Sequence, residues 1–235
     1  SECGRIIVVG GGIGGAALAV SLQKKGFDVI VLESDASFDS RAQGYGLTVQ
    51  ATDAMQAMGV DISGDDAPST SHYTFSNEGE IIGFFGEAFG VKSKDRQEMQ
   101  NSGRFIHIPR QVLRQRILEA VRPDTIRWSS KLKSYDDSEK DRVTVTLMDD
   151  TKIEGALLIG SDGIFSTVRR QLELPGDRLN YVGLCVVLGI VDDEILEIPL
   201  AKRRIFETVD GTTRIYAMPF TIKSTMWQLS FPCSE

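Results

Sequence analysis

The sequence is poor in the residues that bind metals or form disulfide frameworks. It contains three cysteines, Cys3, Cys185 and Cys233, and two histidines, His72 and His107. The cysteines are widely spaced and form no C-x-x-C pair, which argues against a zinc site and against a disulfide framework. The two histidines are too few and too far apart for a histidine metal site. We therefore expect no metal.

Long apolar runs and an excess of positive charge are also missing. No apolar stretch reaches the roughly 18 residues that would cross a bilayer, so we expect no transmembrane segment. There are 26 basic and 33 acidic residues, which gives a net charge of −7, and no basic block stands out. Nucleic acid is therefore not an expected partner. The sequence shows no targeting segment and begins with Ser1, which fits a processed amino terminus. The expected location is cytoplasmic or unknown.

The amino-terminal part of the sequence predicts a strand, a helix and a second strand. Residues 5–9 (RIIVV) are typical of a strand that is buried on both faces of a parallel sheet. Residues 13–25 have the apolar content of a helix, which Gly26 ends, and residues 28–32 (DVIVL) form the next apolar strand. Together they predict a βαβ unit with a right-handed connection.

Three glycines lie between the first strand and the helix. Gly10, Gly12 and Gly15 form a G-x-G-x-x-G pattern: the first glycine permits a tight turn, the second lets a diphosphate approach the backbone, and the third lets helix and strand pack closely. The free N–H groups of residues 13–15 and the helix dipole then face the anion. Glu33, which ends the second strand, can accept hydrogen bonds from ribose hydroxyls and would repel the 2′-phosphate of NADP. Units of this kind bind NAD or FAD.

The rest of the sequence predicts further strands and helices. Residues 104–108 are expected to form a strand, followed by a helix that Pro109 starts, and a short helix is expected at about residues 50–58. Residues 125–128 predict a parallel strand, and alternation between residues 131 and 155 predicts an antiparallel meander. Residues 156–160 are expected to return to the main sheet.

Four segments in order resemble the single-component FAD-dependent monooxygenases, the aromatic-hydroxylase family of group A flavoproteins. They are VVGGGIGGAALAVSLQKKGFDVIVLE, RAQGYGLTVQATDAMQAMGV, IPRQVLRQRIL and LLIGSDGIFSTVRRQL. The last segment is the most specific, because its G-S-D-G at residues 160–163 resembles the second fingerprint of the family. The resemblance covers most of residues 4–175.

The resemblance implies roles for individual residues. Arg41 would reach toward the cofactor, although a surface cation in a loop is an alternative. Arg110 would contact the phosphate and ribityl region of FAD, and Asp162 would bind the ribityl chain or the pyridine nucleotide. Arg169 would be a structural ion-pair partner, with a role as a ligand as the alternative. The implied contacts of FAD are Gly10, Gly12, Ile13, Gly14, Gly15, Glu33, Ser34, Arg41, Gly46, Arg110, Asp162 and Gly163.

The resemblance also implies an α/β fold with two domains. A Rossmann-like FAD-binding domain with a parallel sheet and a β-meander would occupy residues 1–178, with residues 71–103 contributing to the substrate side. An incomplete, mostly antiparallel substrate domain would occupy residues 179–235. Along its strands, about half of the alternating side chains would face the protein core and not the substrate. The candidate substrate contacts are Tyr45, Leu184, Val186, Tyr216, Met218, Phe220 and Trp227. For Tyr45, a packed aromatic side chain is the alternative.

The implied activity is hydroxylation or epoxidation of an aromatic or polyene substrate with NAD(P)H and O2. Because the cofactor carries this chemistry, we assign no catalytic side chain. The family's third fingerprint, a Gly-Asp after the substrate sheet, has no counterpart. The sequence has Gly-Asp only at residues 64–65 and 176–177. The chain therefore resembles the amino-terminal portion of such an enzyme. One alternative is a catalytically incompetent fragment or nucleotide-binding module that needs a complementing carboxyl-terminal chain. Another is an NAD-dependent dehydrogenase, although we find no catalytic His or Tyr-Lys pair for it.

Overall fold

The computed structural model describes residues 4–41, 44–50, 52–69, 71–86, 105–195 and 204–234. The chain folds into two compact units, each built from several segments. The first unit comprises residues 1–42, 53–61 and 113–179, and the second comprises residues 43–52, 62–112 and 180–235. Residues 71–86 of the predicted substrate-side stretch belong to the second unit, and residues 87–103 lie outside the described residues. The functional division at residue 178 stays a prediction.

The first unit is built on a four-stranded parallel sheet. Its strands lie in the order β12 (Leu157–Gly160), β1 (Ile6–Val9), β2 (Val29–Leu32) and β8 (Ile126–Arg127). A second, antiparallel sheet contains β9 (Leu132–Asp136), β10 (Val143–Leu147) and β11 (Lys152–Gly155). Among the described residues, the α-helices of this unit are α1 (Ile13–Lys24), α2 (Thr52–Met58) from residue 53 onward, α3 (Arg110–Glu119) from residue 113 onward, and α4 (Thr167–Gln171), and Phe38–Ser40 form a 3-10 helix.

The parallel sheet is covered on both faces, which explains its continuously apolar strands. On one face, Val8 and Val31 pack with Ala19 of α1. On the other, Ile7 packs with Val145 of the meander. The predicted parallel sheet with a β-meander is thus confirmed.

The second unit contains a six-stranded sheet and a three-stranded sheet. The larger sheet has the order β13 (Leu184–Asp192), β16 (Ser224–Pro232), β15 (Arg214–Thr221), β14 (Arg204–Val209), β5 (Ser71–Phe75) and β6 (Ile81–Gly86), and only its β14–β5 pair is parallel within the described residues. The smaller, antiparallel sheet has the order β3 (Gly46–Val49), β7 (Phe105–Pro109) and β4 (Ala67–Ser69). β15 packs against β7 and β4.

The two faces of the six-stranded sheet carry different clusters. On one face, Ile205, Met218 and Met226 form a buried core with Phe220. On the opposite face, the rings of Tyr73, Phe75 and Phe206 stack on one another. Five apolar side chains of β13 are exposed, those of Leu184, Val186, Val187, Leu188 and Ile190. No helix in the described ranges is both long enough and apolar enough to cross a membrane.

Candidate functional site

Two glycines of the turn after β1 are required by the packing of the chain itself. Gly10 has φ +101°, and a Cβ on it would lie under 3.0 Å from the carbonyl of Ser161. A Cβ on Gly15 would lie under 3.0 Å from the carbonyl oxygen of Gly10. Real Cβ atoms do not approach backbone atoms so closely, so neither position tolerates a side chain.

Gly12 differs from these two glycines. Its backbone (φ −70°, ψ −177°) suits any residue, and a Cβ on it would meet nothing within 4 Å. At the start of α1, no side chain of the described residues caps the helix and the first turn holds no acidic residue. The N–H groups there and the positive end of the helix dipole favour an anion. The fold therefore leaves an open, anion-favouring space beside Gly12.

The second turn that the sequence singled out lies against the first. The Ser161 N–H donates to the Val9 carbonyl at 2.7 Å, which extends the pairing of β1 with β12. Ser161 also lies next to Gly14, where a Cβ would be in ordinary contact with Oγ of Ser161 at 3.5 Å. The structure thus brings the G-x-G-x-x-G and G-S-D-G motifs together at the carboxyl edge of the parallel sheet, where ligands bind in open α/β sheets.

Both carboxylate oxygens of Asp162 are engaged at the start of α4. Oδ1 accepts from Ser166 Oγ at 2.6 Å, and Oδ2 accepts from the N–H of Thr167 at 2.6 Å and from that of Val168 at 3.2 Å. Asp162 therefore stabilises this helix start, and its role toward a ribityl chain or a nucleotide stays a prediction. Gly163 follows with φ +77° and open space beside it.

Arg169 forms the structural ion pair that the sequence predicts. Its Nε lies 3.0 Å from Oδ1 of Asp177, and one of its terminal nitrogens donates to the carbonyl of Ile164 at 2.6 Å. The side chain is thereby held within the segment that follows β12.

Glu33 is a buried carboxylate that faces four donors. It is 4% exposed. Oε2 accepts from the Gly11 N–H at 2.7 Å and lies 3.5 Å from a terminal nitrogen of Arg114. Oε1 accepts from Ser34 Oγ at 3.0 Å and from the Asp35 N–H at 2.9 Å. Four donors match the lone-pair sites of one carboxylate. A ribose hydroxyl would therefore have to replace one of them, and the exposed Ser34 hydroxyl is the one free to rotate.

Arg114 is the residue at this turn that the sequence reading missed. It is 1% exposed, its Nε donates to the carbonyl of Gly11 at 2.9 Å, and its guanidinium lies over the rings of Phe38 at 5.5 Å and Trp128 at 5.6 Å. The available signal was a charged residue between the apolar positions of α3, because Leu113 and Ile117 are both buried. A buried charge needs close partners, and those partners are remote in sequence.

Arg41 is engaged by its own loop. It pairs with Asp35 through Nε, and a terminal nitrogen donates to Oδ1 of Asp35 at 3.1 Å. This hydrogen bond raises the pKa of Arg41 above its ordinary value, against a smaller opposing effect of burial. The side chain is about half exposed. Its reach toward a cofactor stays a prediction.

The second unit brings together the other predicted flavin-loop residues. The N–H of Arg110 donates to the carbonyl of Tyr45 at 3.1 Å. The N–H of Gly46 lies 3.1 Å from Sδ of Met226, and a Cβ on Gly46 would lie 3.1 Å from the terminal methyl of Met218. Gly46 thus packs directly on the methionines of the sheet, whereas Tyr45 is about half exposed.

Four of the predicted substrate contacts share one face of the six-stranded sheet. The strand register places Leu184, Val186, Tyr216 and Met218 on the same face. Trp227 pairs with Ala217 and lies on the opposite face, where a Cβ on Gly189 would come under 3.0 Å from its indole ring. The predicted set is therefore split between the two faces, as an alternating pattern requires.

A polar cluster lies on the same face as Tyr216. Oε1 of Glu207 accepts from Thr74 Oγ1 at 2.7 Å and lies 3.3 Å from Nε2 of His72, and Oε2 accepts from Arg214 Nε at 2.6 Å. Burial alone would raise the pKa of Glu207, but the hydrogen bonds from Thr74 and Arg214 together lower it. The guanidinium of Arg214 lies 4.6 Å from the ring centre of Tyr216. The face therefore carries fixed charges as well as apolar side chains.

Comparison with known proteins places these features in a family. A family model described as an FAD binding domain matches residues 4–196. The chain is 31% identical over 207 residues to the chloroplastic zeaxanthin epoxidase of Nicotiana plumbaginifolia, which covers 86% of this chain and 31% of that protein. It is 29% identical over 192 residues to a dual O-methyltransferase/FAD-dependent monooxygenase of Cercospora beticola, which covers 78% of this chain and 21% of that protein.

Solved structures share the fold at lower identity. The 2,6-dihydroxypyridine-3-hydroxylase of Arthrobacter nicotinovorans superimposes with a TM-score of 0.80 at 22% identity, over 98% of this chain and 57% of that one. HpxO of Klebsiella pneumoniae, solved with FAD and uric acid, gives a TM-score of 0.78 at 21% identity, over 98% of this chain and 57% of that one. The chain thus spans less than a third of the two curated relatives and a little over half of these two structures.

Proposed function

Because the chain belongs to the family of FAD binding domains, we propose that its first unit holds the ADP half of FAD. We propose further that the complete protein is an FAD-dependent monooxygenase, which hydroxylates or epoxidises an aromatic or polyene substrate with NAD(P)H and O2. The alternative of an NAD-dependent dehydrogenase is not favoured by the family match.

The observation that carries the proposal is the open space at Gly12. Gly10 and Gly15 are glycines because the chain leaves no room for a Cβ, but no atom of the described residues lies within 4 Å of a Cβ on Gly12. A diphosphate accounts for this glycine, since its oxygens approach the backbone N–H groups where a side chain would stand.

Residues of the first unit have distinct tasks in this proposal. The N–H groups of residues 12–15 bind the diphosphate, and Glu33 binds the ribose in exchange for the Ser34 hydroxyl. Asp162 holds the start of α4 and so keeps Ser161 against Gly10. When bound, FAD accepts electrons from NAD(P)H and activates O2. The protein's own contribution is to bind, to orient and to exclude water.

The face of the six-stranded sheet that carries Leu184, Val186 and Tyr216 is the proposed substrate side of the second unit, and Met218 on the same face lies in the buried core. Apolar and aromatic side chains there suit a ring or a polyene. Relatives named for zeaxanthin and for 2,6-dihydroxypyridine act, by their names, on substrates of these two classes. Tyr45 and Arg110 belong to the same unit, and their contacts with substrate or flavin remain part of the proposal.

The proposal is tested by titrating the chain with FAD and with ADP, followed by flavin fluorescence and calorimetry. The wild-type chain is expected to bind both ligands. Gly12→Val should leave the circular dichroism and melting temperature unchanged, because the space is open. The substitution should lower the affinity for both ligands by about 100-fold or more, since the valine side chain would occupy the position of the diphosphate. A wild-type chain that binds neither FAD nor ADP would overturn the proposal, and NADH binding without flavin binding would favour the dehydrogenase.

A second proposal is that the chain needs a complementing polypeptide to keep the flavin. The exposed apolar side chains of β13, the last strand of its sheet in the described residues, favour it. The same titration separates the two proposals. A chain that holds only the ADP half should bind ADP and FAD with equal affinity, whereas a chain that also seats the flavin should bind FAD more tightly than ADP.

A further inference from the structure

A buried ring of contacts joins Arg114, Gly11 and Glu33. The Gly11 N–H donates to Glu33 Oε2 at 2.7 Å, and Arg114 Nε donates to the Gly11 carbonyl at 2.9 Å. A terminal nitrogen of Arg114 lies 3.5 Å from the same Glu33 oxygen, which closes the ring. Both charged side chains are at most 5% exposed. Each polar atom of Gly11 is thus engaged by one member of a buried ion pair.

We propose that Arg114 is a positioning residue that fixes the Gly11–Gly12 peptide so that the Gly12 N–H faces the diphosphate of the cofactor. The inference rests on the proposed function, since the diphosphate is the one proposed there. It extends that proposal to a residue that does not itself contact the ligand.

The planarity of the peptide group determines where the Gly12 N–H points. The carbonyl of Gly11 and the N–H of Gly12 belong to one rigid plane and point in opposite directions. Because Arg114 holds the carbonyl on the buried side, the Gly12 N–H must point to the other side. In the described part of the chain that N–H has no partner, and the space beside Gly12 is open. The peptide on the other side of Gly11 is unavailable to an anion, because its N–H is bound by Glu33.

Glycine makes such a constraint necessary. A peptide between two glycines rotates more freely than any other, because neither residue has a Cβ to restrict φ and ψ. Without a fixed carbonyl, the Gly11–Gly12 peptide could turn its carbonyl toward the anion, which would repel it. A hydrogen bond from a charged donor is strong enough to exclude that orientation.

The environment of Arg114 suits this task. The guanidinium carbon lies over the rings of Phe38 and Trp128, 5.5 and 5.6 Å from the ring centres, so aromatic contacts as well as hydrogen bonds hold the planar group. A lysine would not reproduce these contacts, because an ammonium group has no planar set of donors that could bond the Gly11 carbonyl and the Glu33 carboxylate together.

The test compares ADP with adenosine, which share adenine and ribose and differ in the diphosphate. Calorimetry would measure both ligands with the wild-type chain and with the Arg114→Gln and Arg114→Met variants. The matched control is Arg116→Gln, which removes an arginine two residues along α3 that pairs with Glu119 in a more exposed place. Circular dichroism and thermal melting would establish that each variant is folded.

We expect both Arg114 variants to lower the affinity for ADP by about tenfold or more and the affinity for adenosine by less than about twofold. The lost hydrogen bond to the Gly11 carbonyl orients the N–H that faces the diphosphate, which adenosine lacks. Arg116→Gln should change neither affinity. Equal losses for ADP and adenosine, or no loss for either, would overturn the inference while leaving the proposed function in place. If both Arg114 variants fail to fold, the ion pair is structural and the inference is wrong. A wild-type chain that binds no ADP would overturn the proposed function itself, and this inference with it.

Discussion

β1 and β13 are two apolar strands that read alike in the sequence and lie in opposite environments. Every residue of β1 is at most 5% exposed, because α1 covers one face of its sheet and the meander covers the other. Along β13, Leu184, Val186, Leu188 and Ile190 are between 38% and 54% exposed. An apolar sequence therefore shows that a strand can be buried, and the helices and sheets that pack against the strand determine whether it is.

The difference between the strands separates two kinds of surface. In the turn after β1, Gly10 and Gly15 are fixed by neighbours within the chain, whereas the space beside Gly12 is open. β13 belongs to the proposed substrate side, where apolar side chains are available to a ligand or to another polypeptide. Five substitutions test how far this contrast holds.

The largest effect is expected from Gly15→Ala in the turn after β1. The new Cβ would lie under 3.0 Å from the Gly10 carbonyl oxygen, so the backbone of the turn would have to move. We expect a loss of more than about 4 kcal/mol in the free energy of unfolding, or no folded protein. Urea denaturation followed by circular dichroism measures it.

The matched control for this turn is Gly14→Ala, one residue earlier in α1. Its Cβ would make an ordinary contact at 3.5 Å with Ser161 Oγ, so stability should change little, or rise by about 0.5–1 kcal/mol because alanine favours a helix. Equal effects of the two substitutions would contradict the close packing described for Gly15.

The contrast between the strands is sharpest for one residue type. Ile7 of β1 is fully buried, whereas Ile190 of β13 is 43% exposed. Ile7→Ala should cost about 3 kcal/mol of stability through lost burial and a cavity, and Ile190→Ala about 1 kcal/mol or less. Chemical denaturation of the two variants measures the difference. A cost at Ile190 equal to that at Ile7 would mean that β13 is covered in solution, and the comparison would fail.

A smaller, pH-dependent effect on the free energy of unfolding is expected from His107. The burial of this side chain shows that the second unit also has a tightly packed part. His107 is fully buried between β3 and β4, where it bonds Ser69 Oγ at 2.6 Å and Thr48 Oγ1 at 3.1 Å. Burial, with a smaller effect of the nearby His72, lowers the pKa of His107 from 6.5 to about 4.

The sign of the pH effect follows from this pKa. Between the unfolded pKa of 6.5 and the folded value of about 4, the unfolded chain binds more protons, so stability falls as the pH falls through that window. From pH 7 to pH 5 the loss from this group is about 2 kcal/mol. His107→Gln should remove that part of the slope in urea titrations at the two pH values. An unchanged slope would show that His107 is not held neutral by burial.

The sequence was most informative where the determinants are local. The glycine spacing and the apolar strands predicted β1, α1 and β2, and the order of four motifs predicted the family, which the match over residues 4–196 confirms. It was least informative about partners that are far apart in sequence. Arg114 contacts Gly11 and Glu33, which are remote from it in sequence. Trp227 lies on the sheet face opposite Met218 because of the strand register. Neither fact is encoded within one segment.

The predicted cofactor residues illustrate the same limit. Asp162 was assigned by resemblance, and the structure adds that its carboxylate holds the start of α4. Arg41 was placed near the cofactor, and the structure adds its pair with Asp35. A motif identifies a residue type that the family keeps at a position, but the hydrogen bonds that the residue makes depend on neighbours contributed by other segments.

The pairing of β1 with β12 has a consequence for how the protein is made. Ile6 pairs with Leu157, and Gly10 packs on Ser161, so one side of β1 is completed only by a strand that is synthesised much later. Until then an apolar strand has an open edge, and closing so long a loop is slow. The turn after β1 can thus acquire its final packing only once residues 157–161 have been made, and until then the unpaired edge of β1 favours aggregation.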